Sequence, residues 1–227
     1  MTPKATLIWS WGGIQLFGAS LQLGSGEAES LVNYLSPEEE EVSNRYSNRL
    51  HRERFIFRRA LLRQLLAQQT GRTARSLQFV RESRGKPSLS NSQVEFSVSS
   101  SNEQAVFLLS TAGAVGVDIE RIVPEFAYQS LLDEHFTATE RDSILKLQPS
   151  LRIPAFYRSW TQKEACAKAI GAGLTVPLSN YEVGSSSQTW TPAGPNLLVQ
   201  GIGAGEGIAV AVALQTKGGL KEPPRGT

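Results

Sequence analysis

Two short stretches of sequence decide the fold, and they must come together in space: Gly116-Val117-Asp118-Ile119-Glu120 and Trp160-Thr161-Gln162-Lys163-Glu164-Ala165-Cys166-Ala167-Lys168. The first stretch follows an apolar run and predicts a β-strand, on which side chains two apart share a face. Asp118 and Glu120 should therefore point the same way, while the residues between and before them face a core. The alternative is that these two carboxylates lie on a solvated strand face.

The second stretch has a helical pattern, and residues four apart on a helix stack on one face. Glu164 should therefore lie one turn below Lys168. A surface ion-pair face is the alternative for this pattern too. If the two stretches meet, the carboxylates of Asp118, Glu120 and Glu164 converge beside a lysine. Such a set suits a hard divalent cation such as Mg²⁺, whose remaining ligands come from phosphates.

In this order, and with the flanking Trp160 and Gly171-Ala172-Gly173-Leu174, the two stretches resemble the signatures of one family. It is the phosphopantetheinyl transferases of the surfactin-synthetase-activating type, with the signatures (I/V)-G-(I/V)-D-x-E and W-x-x-K-E-(A/S)-x-x-K. The resemblance runs from about Leu35 to Leu178 and continues more loosely to Leu214. It implies an α+β fold, a monomer built as a pseudo-twofold pair of similar α/β subdomains.

The resemblance also implies an activity. Phosphopantetheinyl transferases move the phosphopantetheine arm of coenzyme A to a serine of an acyl or peptidyl carrier protein and release adenosine 3′,5′-bisphosphate. Mg²⁺ would be held by Asp118, Glu120 and Glu164, and phosphoryl transfer depends on such positioning and charge neutralisation. Glu164 would be the base for the carrier serine, and Lys168 would stabilise the leaving phosphate. Lys163 is expected to reach the phosphates too, unless it is simply an exposed lysine.

Basic residues before the first stretch are expected to bind the rest of coenzyme A. Lys86 lies in a Gly-Lys-Pro turn that matches a family motif, which places it near the nucleotide phosphates. Arg54 and Arg59 match basic positions on the helix that approaches the 3′-phosphate. Arg58 lies about 100° around the helix from Arg59 and is expected to take no part.

The chain departs from the family pattern where a strand reading F-N-I-S-H-S is usual. Here the strand reads Phe96-Ser97-Val98-Ser99-Ser100-Ser101, so Ser100 replaces the histidine that binds phosphate. Ser99 and Ser100 are still predicted to contact coenzyme A. Lysines that some members carry early in the first helix are also absent, with Glu39 and Val42 in that region. The binding of the 3′-phosphate is therefore the part of the site that differs most from the family.

Composition narrows the other possibilities. The chain has 227 residues, 40% of them hydrophobic, and no apolar run approaches the roughly 18 residues of a membrane span. A single cysteine, Cys166, excludes an internal disulfide framework and is expected to be a packed helical residue. The N-terminus lacks the layout of a signal peptide. These features predict a cytoplasmic protein with no membrane partner.

Charge is unevenly distributed along the chain. The formal net charge of +2 is too small to indicate extensive nucleic-acid binding. Between Arg45 and Arg84, however, eleven arginines are opposed by two glutamates. Guanidinium groups bind phosphate oxygens in a bidentate way, so this segment favours a phosphate-bearing partner.

The second half of the sequence repeats the first. Ser36-Pro37-Glu38-Glu39 and Thr137-Ala138-Thr139-Glu140 are both capping boxes, 101 positions apart, and each precedes a longer helix, a glycine and a predicted strand, the second at Tyr181-Glu182-Val183. Chance is the alternative explanation for this low-identity repeat. We predict an N-terminal subdomain over residues 1–112, a C-terminal subdomain over 113–216 and a flexible tail over 217–227.

Residues Val123 to Leu151 are expected to form the surface that meets the carrier protein. Arg141 and Lys146 would oppose its acidic residues, and Phe126 and Tyr128 would supply apolar contacts unless they belong to the core. Two other functions remain open: a carrier-binding module with impaired catalysis, and a Mg²⁺-dependent nuclease. The nuclease would need an acidic-x-lysine pair on the strand, which this sequence lacks there.

Overall fold

The computed structural model describes residues 4–22, 24, 26–81, 85–171, 173, 176–184, 189–203 and 207–216. Its strands are β1 Thr6–Trp11, β2 Ile14–Ser20, β3 Phe79–Arg81, β4 Pro87–Leu89, β5 Glu95–Ser101, β6 Gln104–Ser110, β7 Val115–Arg121, β8 Thr191–Gly194, β9 Leu197–Ile202 and β10 Ile208–Gln215. Its α-helices are α1 Glu27–Leu31, α2 Pro37–Asn44, α3 Arg49–Thr70, α4 Gln129–His135, α5 Ala138–Leu145 and α6 Pro149–Ile170. None of these helices is long and apolar enough to cross a membrane.

The strands form two four-stranded antiparallel sheets and a small ribbon. The first sheet has the order β1-β2-β6-β5, the second has the order β7-β10-β9-β8, and β3 pairs with β4. The first sheet is drawn from residues 6–110 and the second from 115–215, so each uses its own stretch of chain. Three neighbouring strands have the same antiparallel arrangement in both sheets, β2-β6-β5 in one and β7-β10-β9 in the other. The mixed α and β composition agrees with the predicted class.

The layers are α3, the first sheet, the second sheet and α6. Helix α3 packs on one face of the first sheet through residues such as Leu62 and Phe107. The other face of that sheet packs on the second sheet, where Leu16 and Leu108 share an apolar core with Val117. Helix α6 covers the far face of the second sheet. Its Cys166 is packed there as predicted, and burial raises the pKa of its thiol to about 12.

The predicted helix signals are confirmed. Ser36 and Thr137 each cap a helix with reciprocal hydrogen bonds to the glutamate three residues on, Glu39 and Glu140. Helices α3 and α6 are both 22 residues long and both end at a glycine in the left-handed conformation. Left-handed backbone is favourable for glycine because it lacks a Cβ. The repeat of short capped helix, long helix and glycine is therefore present in the structure.

The predicted strand over 181–183 is wrong. Leu178–Asn180 forms a turn of 3₁₀-helix, and residues 181–184 join no strand. Their backbone groups bond to side chains instead: Glu140 accepts the Val183 N–H, and the Tyr181 carbonyl oxygen accepts a hydrogen bond from a lysine of α6. Strand β8 has no clear signal in the sequence, since Pro192 breaks the pattern and is tolerated because β8 is an edge strand. The predicted tail over 217–227 lies outside the described residues.

Candidate active site

A cleft of about 390 Å³ opens between the two halves of the chain. Its walls come from α3 and the β4–β5 region on one side and from α6 on the other. Four residues predicted from the sequence line it: Arg59, Lys86, Glu164 and Lys168. Two basic residues of the first half, Arg59 and Lys86, thus line the same cleft as Glu164 and Lys168 of the second signature.

Gly116 allows the two signatures to meet. A Cβ built at this position would lie 1.9 Å from the carbonyl oxygen of Ala165 and 2.4 Å from the backbone nitrogen of Ala169. Helix α6 therefore rests directly on the backbone of β7, closer than any side chain would permit. This approach explains why the first signature has a glycine before its acidic residues, and it places α6 within reach of Asp118.

Asp118 is the buried centre of the site, with 3% of its surface exposed. Its Oδ1 accepts hydrogen bonds from the Lys168 ammonium at 2.6 Å and from the Ser99 hydroxyl at 2.8 Å. Lys168 also donates to Ser99 at 3.0 Å. The predicted residues of β7, α6 and β5 therefore form one hydrogen-bonded group. The second carboxylate oxygen, Oδ2, is buried and has no hydrogen-bond partner among the described residues.

Glu120 and Glu164 complete the acidic group electrostatically. Burial is the main cause that raises the pKa of each side chain, and the charge of Asp118 raises both further. Glu164 also raises the pKa of Glu120. The three carboxylates thus influence one another, but within the described residues no three acidic, histidine or cysteine side chains converge as a ready metal cluster. Lys168 and Ser99 bind Asp118 Oδ1, and Ser101 binds Glu120 Oε2.

The donor set nevertheless fits a hard divalent cation. A buried carboxylate oxygen without a partner, such as Asp118 Oδ2, is costly unless a hydrogen-bond donor or a cation satisfies it. Mutual repulsion among Asp118, Glu120 and Glu164 is relieved by the same cation. Carboxylate oxygens are the ligands that Mg²⁺ prefers. The chemistry of these residues is therefore compatible with the predicted metal.

The first half of the chain supports this group through the serines of β5. Strands β5 and β7 belong to different sheets, and the contacts between them are made by side chains. Ser97 accepts the Val117 N–H at 3.1 Å, and Ser101 accepts the Arg121 N–H at 3.0 Å. Ser101 also donates to Glu120 Oε2 at 2.8 Å. Together with Ser99, these alternate residues form a row that we call the serine seam.

The arginines of α3 divide into two groups that differ from the prediction. Arg59 and Arg63 lie one turn apart and both bind the carboxylate of Glu39. Arg59 still lines the cleft, although Glu39 balances its charge. Arg63 is fully buried and also donates to the carbonyl oxygens of Ala74 and Leu77. Glu39 is thus bound by two arginines of α3, in the region where some family members carry lysine.

Arg58 is expected from the helical spacing to lie off the ligand-facing side, and it is not one of the described residues that line the cleft, although it contacts the predicted ligand residue Ser100. Its Nη1 donates to the Ser100 hydroxyl at 2.7 Å. Burial lowers the pKa of Arg58, and among the described residues no carboxylate lies within ion-pair distance of it. Arg54, one turn earlier, lies 3.8 Å from Glu103. The i,i+4 spacing of Arg54 and Arg58 is the signal in the sequence for this grouping.

Lys86 lines the cleft but its ammonium is already engaged. It donates to the backbone carbonyls of Val115 at 3.2 Å and Ala169 at 3.4 Å, and Glu95 lies 3.8 Å away. The first carbonyl begins β7 and the second ends α6. Lys86 therefore connects the first half of the chain to both elements that carry the acidic group.

Lys163 neither reaches the cleft nor lies on the surface, so both interpretations of it are corrected. It is fully buried, and its ammonium pairs with Glu140 at 2.8 Å and donates to the carbonyls of Leu178 and Tyr181. Burial lowers the pKa of Lys163, against the opposing effect of Glu140. This arrangement matches that of Arg63 with Glu39 in the first half: a buried cation of the long helix binds the capping glutamate and two carbonyls that follow the helix.

We expect Glu140→Gln to destabilise the protein by about 3–5 kcal/mol, because it leaves the Lys163 charge buried without its counter-ion. The double variant Glu140→Gln/Lys163→Met should recover much of this loss, since it removes the unpaired charge. Chemical denaturation of the three proteins measures both effects. A loss of unfolding free energy below about 1 kcal/mol in the single variant, or no recovery in the double variant, would show that the Lys163–Glu140 pair does not stabilise this region.

Tyr128 is buried against Phe156, as the core interpretation expects. Phe126 is partly buried and packs with tilted rings against Phe156 and Tyr157. Both aromatic residues thus contact the core around α6, and a part of Phe126 in docking stays a prediction. Apolar residues exposed in the same region include Val123, Leu145 and Leu151.

Comparison with known proteins agrees with this geometry. The model of the 4′-phosphopantetheinyl transferase superfamily matches residues 114–194, which include β7 and α6. A Synechocystis protein assigned by name to the 4′-phosphopantetheinyl transferases is 35% identical over 144 residues, 62% of this chain and 58% of that protein. The 4′-phosphopantetheinyl transferase Sfp of Bacillus subtilis is 25% identical over 71% of each chain.

A further relative decides the assignment. The 4′-phosphopantetheinyl transferase HetI of Nostoc is 30% identical over 165 residues, which are 71% of this chain and 70% of HetI. The fold brings both signatures into contact, through Gly116 and the bond of Lys168 to Asp118. The chain belongs to the 4′-phosphopantetheinyl transferase family.

Proposed function

We propose that the chain transfers the 4′-phosphopantetheine moiety of coenzyme A to a serine of an acyl or peptidyl carrier protein, with release of adenosine 3′,5′-bisphosphate. The observation that carries the proposal is the meeting of α6 with β7, where Lys168 and Glu164 stand beside Asp118 at a cleft between the halves. The names of the relatives support the same activity. Modification of carriers in fatty acid, polyketide or nonribosomal peptide synthesis is part of the proposal.

Each residue of the acidic group has a proposed part in the reaction. Asp118, Glu120 and Glu164 would hold Mg²⁺, which when bound supplies charge neutralisation at the pyrophosphate of coenzyme A. Glu164 takes the proton of the carrier serine as the serine oxygen attacks phosphorus. Its raised pKa makes it a better proton acceptor than an ordinary carboxylate. Lys168 stabilises the negative charge that remains on the leaving phosphate.

Residues of the first half would bind the remainder of coenzyme A. Arg59 and Lys86 line the cleft, and Ser99 contacts both Asp118 and Lys168, so all three lie next to the position proposed for the pyrophosphate. Arg54 and Ser100 stay in the proposal as ligands of a phosphate at the nucleotide end. We add Arg58 to them because it contacts Ser100; Lys163 is no longer part of this set.

We expect Arg58→Met to raise the Michaelis constant for coenzyme A about tenfold or more, because a charge-assisted hydrogen bond to phosphate contributes about 1.5–3 kcal/mol. The turnover number should change little, since this phosphate is remote from the reacting phosphorus. Arg49→Met is the matched control: it removes the same charge from the same helix, at an exposed residue paired with Glu53. Equal effects of the two variants would indicate a diffuse electrostatic field and no specific contact.

The region from Val123 to Leu151 is proposed as the carrier surface. The exposed apolar side chains of Leu145 and Leu151 lie in the same segment as Arg141 and Lys146. Carrier proteins are expected to present acidic residues and an apolar helix edge, which such a surface complements. This surface is on the second half of the chain, which also carries the acidic group.

The architecture supports two further proposals. Matching strand orders, capped helices and buried cation–glutamate pairs lead us to propose that the halves, 1–112 and 113–216, are related by a pseudo-twofold axis. Both walls of the cleft belong to one chain, so we propose that the protein acts as a monomer. A cytoplasmic location is proposed from the substrates alone.

Mass spectrometry tests the proposed reaction directly. Apo carrier proteins incubated with the enzyme, coenzyme A and Mg²⁺ should gain one phosphopantetheine, and omission of Mg²⁺ or addition of a chelator should prevent the gain. Carrier binding with no change in mass would favour the impaired binding module. Cleavage of DNA under the same conditions would favour the nuclease.

A further inference from the structure

We propose that Ser101 and Ser99 of the serine seam are positioning residues that orient Glu120 and Asp118 toward a divalent cation. The inference rests on the proposed function and goes beyond it, because it gives the first half of the chain control over metal affinity. Ser101 belongs to neither signature, and its side chain carries no charge that would mark it in the sequence.

The hydrogen-bond geometry fixes the direction of each hydroxyl. Ser101 Oγ accepts the Arg121 N–H at 3.0 Å, so its hydrogen is left to donate, and it donates to Glu120 Oε2 at 2.8 Å. Ser99 Oγ likewise accepts the Lys168 ammonium at 3.0 Å and donates to Asp118 Oδ1 at 2.8 Å. A hydroxyl that is both acceptor and donor has little rotational freedom. Each serine therefore holds one carboxylate in one rotamer.

The same hydrogen bonds give the two carboxylate oxygens of Asp118 different surroundings. Oδ1 receives both the Ser99 hydroxyl and the Lys168 ammonium, while Oδ2 is buried with no hydrogen-bond partner in the part of the chain that the structure describes. Because Oδ1 is occupied by donors, Oδ2 is the oxygen that can satisfy a cation. Partners outside the ligand shell that orient metal ligands in this way typically change metal affinity by about 10-fold to 100-fold when removed.

The seam contains its own control. Ser97 lies on the same face of β5 and accepts the Val117 N–H at 3.1 Å, but among its hydrogen bonds in the described chain none reaches a carboxylate. Ser97→Ala thus removes one hydroxyl from the seam without removing a partner from the acidic group. Ser101→Thr is the conservative variant, since threonine keeps the hydroxyl and is favourable in a strand.

The test is Mn²⁺ binding, followed by the electron paramagnetic resonance signal of free Mn²⁺, with and without coenzyme A. Ser101→Ala and Ser99→Ala should weaken binding about 10-fold or more. Ser97→Ala should stay within about twofold of wild type, and Ser101→Thr should restore most of the affinity. Thermal stability of all variants is measured alongside, because loss of any seam hydroxyl should affect stability alike.

Three results would overturn the inference. Unchanged Mn²⁺ affinity in Ser101→Ala and Ser99→Ala would mean that the serines join the sheets without orienting the carboxylates. An equal loss in Ser97→Ala would mean that any loosening of the seam has the same effect. Absence of Mn²⁺ binding by the wild-type chain would defeat the proposed metal site together with the inference, so that failure of the broader proposal is recognisable by itself.

Discussion

Glu164→Gln is expected to reduce the transfer rate on the order of 10²-fold or more and yet to make the metal-free protein more stable. The loss of rate follows from removal of the proposed base and of one metal ligand. The gain in stability follows from the raised pKa of Glu164, which means that the folded state disfavours the charged carboxylate. A glutamine keeps the shape and removes that charge.

The gain in stability of Glu164→Gln should depend on pH, because the pKa of Glu164 is raised in the folded state. The folded pKa of Glu164 lies above its unfolded value, so the ionised carboxylate lowers stability above that range. In a chelator at pH 7.5, Glu164→Gln should therefore melt above wild type. The difference should vanish as the pH falls below about 4.3, the ordinary glutamate pKa, where both proteins are uncharged at this position.

Glu125→Gln is the control, because Glu125 is exposed and should leave the melting temperature unchanged. Near-normal turnover of Glu164→Gln would refute the role assigned to Glu164. A lower melting temperature would refute the unfavourable burial of its charge. The two readouts are independent, so each part of the prediction can fail separately.

Gly116→Ala is expected to force α6 away from β7 and to cost the protein both stability and activity. The new Cβ would meet two backbone atoms of α6, at 1.9 and 2.4 Å, and backbone atoms cannot rotate away as a side chain can. The helix must therefore shift by about 1 Å or more, with a cost of about 3 kcal/mol or more. Displacement of Glu164 and Lys168 relative to Asp118 by such a distance should lower the transfer rate on the order of 10²-fold.

Circular dichroism and transfer assays measure these effects, with Gly184→Ala as the matched control. A Cβ at Gly184 would meet no atom of the described residues within 4 Å, and its backbone is not in the left-handed region. We expect Gly116→Ala to melt about 6 °C or more below wild type and Gly184→Ala to melt as wild type does. If Gly116→Ala folds with normal stability and activity, the close contact of α6 with β7 is not required.

Much of the fold follows from local signals in the sequence. Capping boxes at Ser36 and Thr137 and the glycines after α3 and α6 predict both helical segments, because these residues act within one or two turns. The apolar run before Asp118 and the alternation that follows it predict β7. Residues 181–183 resemble a strand in sequence but are not one, because the backbone there bonds to side chains of α5 and α6, and no local pattern reports such long-range partners.

The sequence predicts some residues of the site correctly and misses or misplaces others. Asp118, Glu164 and Lys168 can be found because strand and helix periodicities place them on defined faces. Lys163 is misleading, since a lysine beside a glutamate usually faces solvent and its true partner, Glu140, lies on another helix. The importance of Arg58 and Ser101 depends on contacts between α3, β5 and β7 that only the tertiary structure defines.

The apolar core between the two sheets has a consequence for folding cooperativity. Leu16 and Leu108 from the first half and Val117 and Val212 from the second bury one another, so each half has a sheet face that the other half covers, in addition to its own helix-covered core. The stretch 114–194 that matches the superfamily model also lacks β10, the partner of β7. Either half alone, or the fragment 114–194, would expose a hydrophobic sheet face and an open strand edge. Both features promote aggregation. The segment that the superfamily model matches is therefore smaller than the part of the chain that unfolds as one cooperative unit.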